Sequence, residues 1–220
     1  IDEILPLAIK VIVDAQNVRK QAEHVGGWRY TPVSNDSDLS CSGWALMALR
    51  SARLNGADIP DEAIEKAVLY IKRSQNSSGA FSYQGSNGGN GDTLSGAAIL
   101  CLELCGRHLD PSSLKAAKFL ENRYEKVLSG GGHRCYGMYY TAQGLFQLGG
   151  DFWKKFESWM YKTYIPKQLP DGSWPKDAVS SAAYSTAMTA LAFTVPYRML
   201  PIYQRDETVD NEDEERKEIE

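Results

Sequence analysis

Residues 75–81 read QNSSGAF and residues 168–174 read QLPDGSW. Each sets a glutamine four residues before a glycine and six before an aromatic ring, so one loop design is used twice. A looser copy joins Gln16-Asn17 to Gly26-Gly27-Trp28, and a degenerate one runs from Gly130 to Tyr136. Trp28 to Phe81 is 53 residues, Phe81 to Tyr136 is 55 and Tyr136 to Trp174 is 38. Each interval is long enough for two helices, and a loop recurring at such intervals marks a repeat architecture.

The segments between the loops are of two kinds. Asp61 to Gln75 is amphipathic: Ala63, Ile64, Ala67, Val68 and Ile71 share one face, and Asp61, Glu62, Glu65, Lys66, Lys72 and Arg73 take the other. Pro60 with Asp61 and Glu62 suits its start. Ser113 to Leu128, Asp151 to Tyr164 and Ile4 to Gln16 read the same way. The second kind, at Leu39 to Leu49, Leu94 to Cys105, Met138 to Leu148 and Ala182 to Phe193, is apolar or small on every side. Such helices belong inside, buried all round, with small residues admitting close neighbours. The order outer, inner, repeated four times, predicts an all-α fold: an α/α toroid, or partial toroid, of about four helical hairpins in an inner and an outer layer. Gly56, Gly106 and Gly149-Gly150 follow the inner segments, where a C-terminal glycine belongs.

Charge divides the chain differently. The net charge of −4 comes from 24 Lys plus Arg against 28 Asp plus Glu, but residues 205–220 hold nine of those acids and three of the bases. The remainder has 19 acids and 21 bases, a net of +2. We therefore expect a repeat domain over residues 1–204 and an acidic, disordered tail over 205–220. Neither part is the strongly basic surface of a nucleic-acid binder. Four cysteines without a CxxC pair suggest buried thiols. The uncharged run Ala178 to Tyr197 carries serines, threonines and tyrosines and reads as a core helix, so no transmembrane span is expected. Because the first residue is Ile1, a leader or earlier hairpins could precede it, and the compartment, cytoplasmic or exported, stays open.

The loop Gln-x3-Gly-x-aromatic resembles the prenyltransferase and squalene-cyclase repeat of the terpenoid-cyclase-like α/α toroids, over roughly residues 4–204. GGWRYTP (26–32), DSDLS (36–40) and VPYRMLPIYQR (195–205) look most like a bacterial squalene-cyclase-like subgroup. Complete toroids of this kind have about six hairpins. Four are counted here, which leaves an open arc or a ring completed by hairpins ahead of Ile1.

What the resemblance implies for chemistry is specific. Asp36-Ser37-Asp38-Leu39 resembles the acidic DxDD motif of class II terpene cyclases with Leu39 in place of the last acid, which makes Asp38 the general acid and Asp36 its orienting neighbour. The residues alone read as a helix cap, supplied by Asp36, Ser37 or Asp38. In protein prenyltransferases a zinc is held by Asp, Cys and His; His133 and Cys135 sit in a comparable place, but Tyr184-Ser185-Thr186 offers no third ligand, so no cofactor is expected. The thioester string of macroglobulin-type toroids is absent.

If the hairpins alternate, the inner helices all run one way and their N-terminal ends share a rim. Arg29, Tyr30, Asp36, Asp38, Asp92, His133, Tyr136 and Tyr184 fall there, while Trp44, Tyr139 and Tyr140, on inner helices, are placed to line a cavity. Such residues suit a small hydrophobic or sugar-like ligand. The reading is a ligand-binding or scaffold module. Its alternatives are an enzyme acting on an isoprenoid-like substrate through Asp38, and a carbohydrate-active toroid pairing Asp36 or Asp38 with Asp92.

Overall fold

The structure is a computed structural model that describes residues 3–129 and 133–204. The acidic tail, and residues 130–132 of the degenerate fourth loop, lie outside the described residues. Within them the chain is all-α. Its helices are α1 (Ile4–Gln16), α2 (Leu39–Leu54), α3 (Asp61–Arg73), α4 (Gly91–Leu104), α5 (Pro111–Glu121), α6 (Tyr124–Ser129), α7 (Arg134–Leu148), α8 (Gly150–Tyr164) and α9 (Ala182–Phe193). Short 3-10 turns, the last two at Val195–Tyr197 and Pro201–Tyr203, punctuate the connections.

The two classes of segment become two kinds of helix. On α3 the buried residues are Ala63, Ile64, Ala67, Val68, Tyr70 and Ile71, and its acidic first turn and basic last turn complement the helix dipole. The single outer helix expected from Ser113 to Leu128 is instead two, α5 and α6, broken at Asn122 and Arg123. The break lets Arg123 turn its guanidinium onto Asp92, at 2.7 and 3.2 Å, while Tyr124 packs its ring against Phe156 and Trp159.

The inner helices α2, α4, α7 and α9 pack side by side in that order. Gly96 faces Thr141 while Gly144 faces Gly96 and Ile99, and Gly43 faces Cys101 while Arg50 Nε donates to Leu104 O at 2.6 Å. These registers advance together, so α2, α4 and α7 run parallel. A Cβ at Gly96 or Gly144 would strike the neighbouring backbone. Alanine there would overpack the seam at a cost of about 1–3 kcal/mol. α2 and α4 end alike: Gly56 N donates to Arg53 O and Ala57 N to Ala52 O, and Gly106 N to Glu103 O and Arg107 N to Leu102 O. This paired arrangement needs φ above zero at the glycine, here 84° and 70°.

Burial along the inner row is uneven. α4 from Leu94 to Leu102 is continuously buried and α7 nearly so, but α9 buries only Ser185, Thr189 and Ala192 and leaves Leu191 47% exposed. The expectation that every inner helix is covered all round is therefore corrected for α2, which leaves Trp44 49% exposed, and for α9. α9 has α7 on one flank and no helix of the described residues on the other.

The repeated loops are the joints of the array. Gln16 Nε2 donates to Gly26 O at 2.8 Å and to Ala63 O of α3 at 2.9 Å. Gln75 Nε2 donates to Gly79 O at 2.9 Å and to Ser112 O of α5 at 2.8 Å. One side chain thus fixes its own loop and holds the first turn of the next outer helix. The aromatic residue of each loop then gives its backbone N–H to a hydroxyl in the first turns of the following inner helix: Trp28 to Ser42, Phe81 to Ser95 and Trp174 to Thr186, each at 2.9 Å.

Candidate functional site

The first loop brings a charged cluster to the start of α2. Asp38 is the N-cap: its Oδ1 accepts from Cys41 N at 2.9 Å, as a short polar side chain in extended backbone does at this position. Its Oδ2 takes Arg29 Nη1 at 3.0 Å, and the side chain is fully buried. Arg29 also reaches Asp36 at 3.3 Å and the Tyr83 hydroxyl at 3.1 Å, and its guanidinium lies over the rings of Tyr30 and Tyr83. Burial would lower the Arg29 pKa, but Tyr83, Asp38 and Asp36 outweigh it, so the cation is held. Tyr30 and Tyr83 close the cluster through a 2.8 Å hydroxyl pair. One guanidinium thus serves two carboxylates within the group.

The neighbouring thiol is quiet. Burial first, then the Asp38 carboxylate, push Cys41 up to about 12, so it stays protonated and weakly nucleophilic at neutral pH.

Asp92 has a different partner from Asp36 and Asp38: it pairs with Arg123, and they pair with Arg29. His133 is an exposed turn residue at the cap of α7, and Cys135 is buried in the first turn of that helix. Among the described residues no group of three or more His, Cys, Asp or Glu side chains is placed to hold a metal ion. Asp177, which the sequence reading passed over, is an N-terminal acid of the last hairpin. Burial would raise its carboxyl, but the Ser180 hydroxyl, the Val179 and Cys135 backbone groups and Arg134 outweigh that and keep it ionised. Its signal was its place three residues after Trp174.

A second grouping lies across the inner row. Trp44 of α2 and Tyr140 of α7 meet over α4, the indole Nε1 donating to the phenol oxygen at 2.9 Å above Ala97 and Leu100. Flanking helices that touch across the middle one bend the row toward this face. Tyr136 packs edge-on to Trp44 at 6.4 Å between ring centroids and at 4.5 Å from Tyr140, and Tyr139 is 4.9 Å from Tyr140. Trp44 is 49% exposed and Tyr184, at the start of α9, is 40% exposed, while Tyr136 and Tyr139 are half-buried and Tyr140 is buried, so the face opens to solvent along its Trp44 and Tyr184 edges. Burial, and then neighbouring rings, raise the Tyr136 hydroxyl far above its ordinary value; burial raises Tyr140 too, against the opposing bond from Trp44. Both remain neutral hydroxyls that donate and accept, and neither serves as a base.

The C-terminal segment adds a residue that the sequence did not point to. Val195 to Tyr203 packs against α7 and α9 only at its start, around the buried Val195. Pro201–Tyr203 instead crosses to α2 and α7, where Gln147 Nε2 donates to Tyr203 O at 2.8 Å and the Tyr203 hydroxyl reaches Met47 Sδ at 4.0 Å. Tyr203 thereby extends the aromatic face. At the opposite rim, Arg50, Glu103, His108, Gln147 and Ile202 line a cleft of about 420 Å³ in which His108 Nδ1 and Glu103 are 2.7 Å apart.

Compared with known proteins, the chain matches no family model and no curated protein.

Proposed function

We propose that this protein is a binding module of the terpenoid-cyclase-like α/α-toroid type that takes a small ring-shaped ligand, sugar-like or hydrophobic, on the face of Trp44, Tyr136, Tyr139 and Tyr140. One observation carries the reading: the carboxylate in the place of a proton donor is spent, whereas the aromatic face is open. Asp38 is buried, caps α2 and pairs with Arg29. A general acid must come within hydrogen-bond reach of the group it protonates. The rings, by contrast, offer a half-exposed indole beside neutral phenols, a combination that stacks on a flat face and hydrogen-bonds at its edge.

Tryptophan fluorescence titrated with methyl glycosides and with short isoprenoid alcohols tests this. One class is expected to bind, and Trp44→Ala to weaken it about tenfold, the worth of one lost aromatic contact. Asp38→Asn, which keeps a capping side chain, is expected to leave binding unchanged. Turnover of an isoprenoid that disappears in Asp38→Asn would overturn the binding-module reading in favour of an enzyme.

A further inference from the structure

The two ends of the array are complementary halves of one joint. At the C-terminal end, Gln168 Nε2 donates to Gly172 O at 2.9 Å, as its counterparts do within their loops, but among the described residues it meets no second carbonyl. A Cβ at Gly26 would strike Lys66 O, and one at Gly79 would lie 2.7 Å from Lys115 O, because an outer helix presses on each loop. At Gly172 nothing described lies within 4 Å, although φ is 84°, as in the occupied loops. Around this loop Ile165 is 55% exposed, Leu169 43% and Leu191 47%. The socket is formed, and among the described residues no helix fills it.

On α1, at the N-terminal end, no loop of the described residues covers the corresponding row. Ala63 precedes Gln75 by twelve residues, and Ile4 precedes Gln16 by the same twelve, so Ile4, Leu7 and Val11 of α1 stand where Ala63, Lys66 and Tyr70 stand on α3. On α3 that row meets the preceding loop, through Ala63 O with Gln16, Lys66 O with Gly26 and Tyr70 with Gly27. Ala63 and Tyr70 are 4% and 1% exposed there, whereas Ile4, Leu7 and Val11 are 67%, 60% and 53% exposed. An aliphatic row open to water on an outer helix is the surface such a loop covers.

We propose that two copies of this chain associate head to tail, α1 of one copy docking on the Gln168–Trp174 loop of the other, so that the hairpin array continues across the contact. The occupant is a second copy because this chain carries both the empty socket and, at the matching register, the uncovered helix. A head-to-tail contact uses different surfaces on the two copies, so each associated pair still has one free socket and one free helix.

Sedimentation of the 220-residue chain over a range of concentrations tests it, with a mass expected to climb above the 24.4 kDa of one copy. Leu7→Asp blocks the helix end, and Gln168→Ala with Gly172→Arg blocks the socket. All three positions are exposed, so each variant is expected to keep the parent's helical circular dichroism. Either variant alone is expected to stay at monomer mass. An equimolar mixture is expected to form a pair and stop, since each supplies the half that the other retains. A parent that stays monomeric throughout, self-association surviving both blocks, a mixture that does not pair, or a different protein occupying the socket while this chain stays monomeric would each overturn the proposal.

Discussion

The loops at 75–81 and 168–174 are alike inside and different outside. In each, glutamine Nε2 meets the glycine carbonyl at 2.9 Å, glycine has positive φ, and Asn76 or Asp171 Oδ1 accepts a serine backbone N–H at 3.0 Å. Among the described residues only the first is capped by a helix: Gln75 reaches Ser112 O and Gly79 lies under Lys115. The loop conformation is therefore a local property of its residues, whereas its work as a joint is supplied by the neighbour. Phe81 is fully buried, whereas Trp174 is half-buried.

Substituting the two glycines should break the likeness most. Gly79→Ala meets a left-handed backbone and the Lys115 carbonyl together, and is expected to cost about 3 kcal/mol in urea unfolding. Gly172→Ala meets the backbone cost alone, about 1 kcal/mol, when measured at low protein concentration. Equal losses would mean that the contact with α5 contributes nothing.

The glutamines sharpen the same contrast at smaller amplitude. Gln75→Ala removes two hydrogen bonds in a partly buried joint, about 2 kcal/mol, and should raise amide exchange in the first turns of α5. Gln168→Ala removes one exposed bond and should cost under about 1 kcal/mol.

Acid should separate the joints least. Burial alone would raise the Asp110 carboxyl, but Lys72 at 2.7 Å and the Ser112 N–H at 2.8 Å outweigh it and hold it below the usual range. A carboxyl depressed on folding contributes fully above its unfolded value, about 4, and loses that contribution as pH falls through the lower folded value. Asp110→Asn, which still caps α5, should therefore flatten the fall in stability below about pH 4. The Asp171 carboxyl is also depressed, by Ser173, but it is exposed and no described helix rests on its loop, so Asp171→Asn should flatten the profile less than Asp110→Asn does.

The sequence alone determined where most of the helices fall, their order, the glycine ends of α2 and α4 and the loops at 75–81 and 168–174. These follow from periodicity and from turn chemistry within seven residues, where the chain cannot avoid its own neighbours. Residues 36–40 also announced a helix start, and Asp38 caps it. Only the tertiary structure decided what the side chains are for. Arg29 is nine residues from the Asp38 carboxylate it neutralises, but Tyr83 is 54 from Arg29, Tyr140 is 96 from Trp44 and Tyr203 is 156 from Met47. The break between α5 and α6 and the uncovered flank of α9 were equally unreadable. Each depends on a partner distant in sequence, and its presence or absence is settled only when the helices pack.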